Sequence, residues 1–161
     1  MQMILFRHGI AKERGTRMHD ADRELTDRGK EKLRTAAAGL RELLRTDQGV
    51  FIWASPYART AQTAELLHQE LGGPEIMYDD FLVHGSFAAL EEKVQALAEA
   101  ETCIVVGHSP WLDVWCEKIC NDRIELKKGG AVAIEIKEKT PLRGDIIWLM
   151  QPKGWMILSH R

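Results

Sequence analysis

Arginine and histidine recur in this sequence where short apolar runs end. Arg7-His8-Gly9 follows Met3-Ile4-Leu5-Phe6, Ser55-Pro56-Tyr57-Ala58-Arg59 follows Val50-Phe51-Ile52-Trp53-Ala54, and Gly107-His108-Ser109-Pro110 follows Thr102-Cys103-Ile104-Val105-Val106. An arginine presents a planar fork of donors that matches phosphate oxygens. A histidine is a neutral nucleophile near pH 7, because its unperturbed pKa is about 6.5. Together such groups can hold a phosphoryl group and attack its phosphorus. Any one of these stretches alone fits a strand end that carries polar side chains into solvent.

The elements between them must bring these residues to one place. The three apolar runs read as buried strands, and residues 75–78 as a further short one. Thr26 is placed to cap a long helix, with Asp27 in the first turn. Leu33, Ala36, Ala37, Leu40, Leu43 and Leu44 recur along it at helical spacing. This helix is expected to reach about Arg45 and to stop before Asp47-Gln48-Gly49. Ser55-Pro56 and Ser109-Pro110 each read as a cap followed by proline at the first helical position. Arg59 then falls in a first turn, where free backbone N–H groups favour an anion. Tyr57, Ala61, Ala64, Leu67 and Leu71 continue as a core stripe, with Thr63 on the Arg59 face. Ser86 caps a third helix, and Leu112, Trp115 and Ile119 line a fourth.

Residues 131–136 and 146–150 read as a β-hairpin, its turn bracketed by Thr140-Pro141 and Gly144-Asp145. Trp155 and Ile157 are expected to pack back on the body. Strands alternating with helices define a three-layer α/β/α sandwich with a mostly parallel sheet and a C-terminal β-hairpin. Ligands of such sheets bind at the carboxyl ends of the strands. Arg7, His8, Arg59 and His108 all lie there and can converge.

A chain of 161 residues is expected to form a single domain over 1–161. Its 22 basic and 24 acidic residues give a net charge of −2, which argues against a nucleic-acid footprint. No apolar run approaches the roughly 18 residues of a membrane span. Met1-Gln2-Met3-Ile4 leads into a strand without the pattern of a signal peptide, so a cytoplasmic location is expected. Cys103, Cys116 and Cys120 make an odd count without metal-type spacing. They are read as core residues in a reduced, metal-free protein without a cofactor.

The order Arg7-His8-Gly9, then Ser-Pro-x-x-Arg at 55–59, then Gly107-His108, resembles the histidine phosphatase superfamily. Asp22-Arg23-Glu24-Leu25-Thr26 and Val106-Gly107-His108-Ser109-Pro110 are similar to its small branch, the SixA-type phosphohistidine phosphatases. The resemblance runs from residue 2 to the hairpin. It implies a metal-independent phosphatase in which His8 is the nucleophile and Arg7, Arg59 and His108 hold the phosphoryl oxygens. It adds Arg23, within an Asp-x-x-Arg-x-Leu-Thr pattern, as a substrate contact. The implied partner is a phosphorylated protein, histidine-phosphotransfer domains among them, or a small phosphorylated molecule. In superfamily members acting on esters, a carboxylic acid after the third strand, often a glutamate following Leu-x, protonates the leaving oxygen. Leu82-Val83-His84 puts His84 at that position, making it a further candidate for substrate contact. A phosphomonoesterase or phosphomutase of the same superfamily, and a non-catalytic phosphate- or phosphopeptide-binding module, are the alternatives.

Overall fold

The structure is a computed structural model and describes every residue except Thr16, Thr46, Gln48, His160 and Arg161. The first long helix, expected to reach about Arg45, ends at Leu43, and of the expected stop Asp47-Gln48-Gly49 only Gln48 lies outside the described residues. The chain order is β1 (Gln2–Arg7), α1 (Asp27–Leu43), β2 (Gly49–Ala54), α2 (Ala58–Glu70), β3 (Glu75–Tyr78), α3 (Phe81–His84) and α4 (Phe87–Gln95). β4 (Glu101–Gly107), α5 (Trp111–Cys120), β5 (Ala131–Lys139), β6 (Leu142–Met150) and α6 (Pro152–Leu158) complete it. A 3₁₀ turn at Asp20–Asp22 interrupts the long loop after β1.

The strands form one six-stranded sheet in the order β3-β2-β4-β1-β5-β6. β1 through β4 are mutually parallel, whereas β5 runs antiparallel to β1 and pairs with β6 as a hairpin. Side chains alternate across a strand, so Met3 and Leu5 enter the core on one face and Ile4 and Phe6 that on the other. Trp115, Leu112 and Ile119 of α5 fill the first core; Leu33, Ala36, Ala37 and Leu40 of α1 fill the second. The α/β/α layering read from the sequence is the architecture found.

Register explains why three separate motifs meet. Arg7 pairs with Gly107, and Ala54 pairs with Val106, so β1, β4 and β2 end level with one another. The ladder continues past the strand ends: His8 N donates to Gly107 O at 3.2 Å, and Ser55 N to Val106 O at 3.2 Å. Gly9 lets α1 approach this edge, since a Cβ there would lie 2.6 Å from Leu33 Cδ1. Its backbone N–H donates to Thr63 Oγ1 at 3.1 Å. Thr63 in turn donates to Arg59 O at 2.7 Å, tying the first motif to the second.

Local details differ from the sequence reading at several points. Thr26 and Ser86 do cap their helices, accepting from Gly29 N and Ala89 N. Ser55 and Ser109 do not: α2 starts after Tyr57 and α5 after Pro110. The hairpin turns at Thr140-Pro141 alone, and Gly144 and Asp145 lie within β6. α3 and α6 are additional short helices. Trp155 is buried and donates from Nε1 to Gly129 O at 2.9 Å, whereas Ile157 is 69% exposed. Among the described residues, no helix is long and apolar enough to cross a membrane.

Candidate active site

A cleft of about 330 Å³ opens at the carboxyl edge of the sheet. Arg7, His8, Arg59 and His108 all line it, as does Arg23. His8 and Arg59 are 6% exposed and His108 8%, so all three work in a largely desolvated setting.

Hydrogen bonds fix the state of each imidazole. His8 Nδ1 lies 2.7 Å from Gly9 O. A carbonyl only accepts, so Nδ1 carries the proton and Nε2 keeps a free lone pair. His108 Nδ1 faces Arg59 Nη2 at 3.4 Å, and its Nε2 lies 2.8 Å from Ser55 Oγ. Guanidinium only donates, so Nδ1 is the acceptor and Nε2–H points to the serine. Both rings are neutral in this arrangement. Burial, joined by the charges of His108, Arg59 and Arg7, pushes His8 down to about 3. Burial and the Arg59 charge bring His108 to about 4.

These depressed values tie folding to pH. Imidazoles in the unfolded chain take up protons near pH 6.5, while the folded ones stay neutral until about pH 4 and 3. Stability is therefore complete above about pH 6.5 and falls as the pH drops. Between pH 7 and pH 5 each buried histidine is expected to remove about 2 kcal/mol. Urea unfolding at the two pH values should show this loss in the wild type and about half of it in His8→Ala. Equal losses in both proteins would mean that His8 is not held neutral.

The arginines are held from behind. Arg7 Nη1 donates to Leu126 O at 2.6 Å. Arg59 Nη1 donates to Asp20 O at 2.8 Å and its Nη2 to Asp20 Oδ2 at 3.1 Å. Asp20 Oδ1 also accepts from Arg23 Nε at 2.9 Å, and Arg23 Nη1 donates to Lys12 O at 2.9 Å. Burial alone would raise the Asp20 carboxyl, but the Arg23 hydrogen bond and the Arg59 charge hold it below the usual carboxylate range. Three buried polar atoms have no hydrogen-bond partner among the described residues: Arg7 Nε, Arg59 Nε and Ser109 Oγ. All three belong to side chains that line the cleft. Unpaired buried donors are rare, and the two arginines among the side chains that carry them give the cleft a cationic lining suited to an anion.

His84 does not join this group. It ends α3 with its side chain exposed, and Val83 takes the place on the cleft wall. Asp20, Ser109, Tyr57, Trp111 and Lys128 line the cleft without having been singled out as site residues. Two of them carried a signal in the sequence, Asp20 as the first position of the Asp-x-x-Arg pattern and Ser109 within Val106-Gly107-His108-Ser109-Pro110. Among the described residues, no three His, Cys, Asp or Glu side chains cluster so as to hold a metal ion.

Two arginines and two neutral histidines thus gather at the carboxyl edge of a mostly parallel sheet, a lining suited to an anion such as a phosphoryl group. Residues 3–104 match the histidine phosphatase superfamily (branch 1), and the chain belongs to that superfamily, whose members are phosphatases or mutases. An uncharacterized protein of Picosynechococcus sp. is 34% identical over 142 residues, covering 83% of this chain and 84% of the relative. Among solved structures, the protein histidine phosphatase SixA complexed with tungstate superposes with a TM-score of 0.82 at 22% identity, covering 95% of this chain and 98% of that one. A mycobacterial glucosyl-3-phosphoglycerate phosphatase superposes with a TM-score of 0.70 at 14% identity, covering 93% and 99%. The two structures share this fold.

Proposed function

We propose that the chain hydrolyses phosphohistidine in a protein or peptide through a covalent intermediate on His8. The observation that carries this reading is His8 itself. Its Nδ1–H is tied to Gly9 O, which leaves Nε2 as the ring's lone-pair nitrogen, and Arg7, Arg59 and Ser109 line the same cleft. A pure binding module has no need of such a nucleophile.

In the first step the Nε2 lone pair bonds to phosphorus while the P–N bond of the substrate breaks. Its electron pair returns to the leaving imidazole, which departs neutral when its other nitrogen carries a proton. In the second step water attacks phosphorus, the P–Nε2 bond breaks, and phosphate leaves with His8 neutral again. Arg7 and Arg59 neutralise charge on the equatorial oxygens throughout, and the Ser109 hydroxyl offers a hydrogen bond. His108 joins them by turning its Nε2–H from Ser55 to an oxygen, and Arg23 contacts the substrate at the rim. No cofactor or metal enters these steps.

Ester substrates ask for more, because an alkoxide must be protonated as it leaves. Asp20 is the one carboxylate among the described residues lining the cleft, and its arginines keep it ionised. Val83 offers no proton, and His84 lies outside. A missing general acid typically costs about 10²–10⁴-fold. Phosphate release from a phosphohistidine peptide should therefore exceed that from phosphoserine and sugar phosphates by about that factor. Comparable turnover of a sugar phosphate would replace this reading with a phosphomonoesterase.

A further inference from the structure

The cleft has walls of two kinds. Its histidines and Arg59 are buried, whereas Val83 and Tyr57 are half-buried and Trp111 is exposed. Trp111, the first residue of α5, is 37% exposed. Its indole is firmly seated. A Cβ built on Gly85 would fall 2.2 Å from Trp111 Cδ2 and 2.6 Å from both Cγ and Cε3, so one ring face rests on the Gly85 backbone. Gly85 adopts φ +68, which suits glycine, and its carbonyl accepts from Trp115 Nε1 at 3.3 Å. Both the ring and its support are thereby fixed. Val83 lies two residues before Gly85, so α3 and α5 together present an apolar strip beside a polar phosphoryl site.

We infer that Trp111 is a specificity-determining residue: with Val83 and Tyr57 it forms a collar that stacks on a planar leaving group while the deeper donors hold the phosphoryl oxygens. The inference rests on the phosphohistidine reading for the identity of that group, an imidazole. In a phosphorylated imidazole with a proton on its second nitrogen the ring is flat and cationic, and tryptophan is the aromatic side chain that attracts such a cation most strongly. Serine and sugar leaving groups have no flat face to offer.

The test compares three substrates on the full chain. A phosphohistidine peptide and 4-nitrophenyl phosphate carry planar leaving groups, and the second leaves without a proton. Phosphoramidate carries the same phosphoryl group with no ring. Trp111→Ala should lower kcat/KM about ten-fold on both planar substrates and leave phosphoramidate unchanged, and Trp111→Phe should restore most of the loss. An equal loss on phosphoramidate, or no loss on either planar substrate, overturns the collar. Brisk phosphohistidine turnover that is indifferent to Trp111 removes the collar and keeps the proposed function. Inertness toward phosphohistidine, with Trp111-dependent cleavage of 4-nitrophenyl phosphate, does the reverse.

Discussion

Replacement of His8 by alanine is expected to abolish turnover, by on the order of 10⁴-fold or more, and to leave the fold intact. The size follows from the chemistry. Without Nε2 no covalent intermediate forms, and water would have to attack the substrate directly past the same donors. The fold survives because His8 gives the core little. Its ring makes one local hydrogen bond, to Gly9 O, and is held neutral beside three cationic or ring neighbours. Removing it leaves a small cavity near the cleft and relieves a desolvated group. Acid-quench labelling with a ³²P-phosphorylated substrate should trap label on the wild type and none on His8→Ala. Label on the variant, or turnover within about ten-fold of wild type, would refute the covalent route.

Arg59→Lys is expected to cost about 10²–10³-fold in kcat/KM although charge is conserved. Arg59 uses both Nη groups on Asp20 and still holds Nε without a partner. A lysine ammonium is a single point that cannot grip Asp20 O, Asp20 Oδ2 and an incoming oxygen in one plane. It also withdraws the donor that keeps His108 Nδ1 in its acceptor state. Steady-state kinetics with a phosphohistidine peptide checks this, with thermal unfolding to verify that the variant is folded. Wild-type rates in a folded Arg59→Lys protein would make this arginine structural.

Much of this organisation was legible because local rules and the global fold agree. Thr26 and Ser86 cap their helices as single-residue chemistry predicts, and the apolar runs of β1, β2 and β4 form the strands of a covered sheet. The convergence of Arg7, His8, Arg59 and His108 on one edge follows from parallel strands ending in register. Local rules fail where a distant partner decides. Ser55-Pro56 has the pattern of a cap, yet Ser55 N extends the ladder to Val106 O and its hydroxyl is taken by His108, 53 residues away. Asp20 sits in a charged loop without periodicity, and only the folded chain brings it to Arg59, 39 residues on. α6 contains Gly154, a weak helix former, and is held by Trp155 reaching Gly129. Ile157 in the same helix faces solvent, because Trp155 and Leu158 take the face that packs on the core.

The grip of Asp20 on Arg59 also bears on how the cleft meets its ligand. The site carries a counter-ion of its own, supplied by the chain and shared between Arg59 and Arg23. On the proposed reaction an arriving phosphoryl dianion would not settle on bare positive charge; it would enter an ion exchange in which a tethered carboxylate loosens or shares its partner. The carboxylate stays attached, so on that reaction it would compete with phosphate for Arg59 and help to displace it. Affinity for the product is thereby tempered, and a site crowded with cations need not become a trap for the free phosphate it releases.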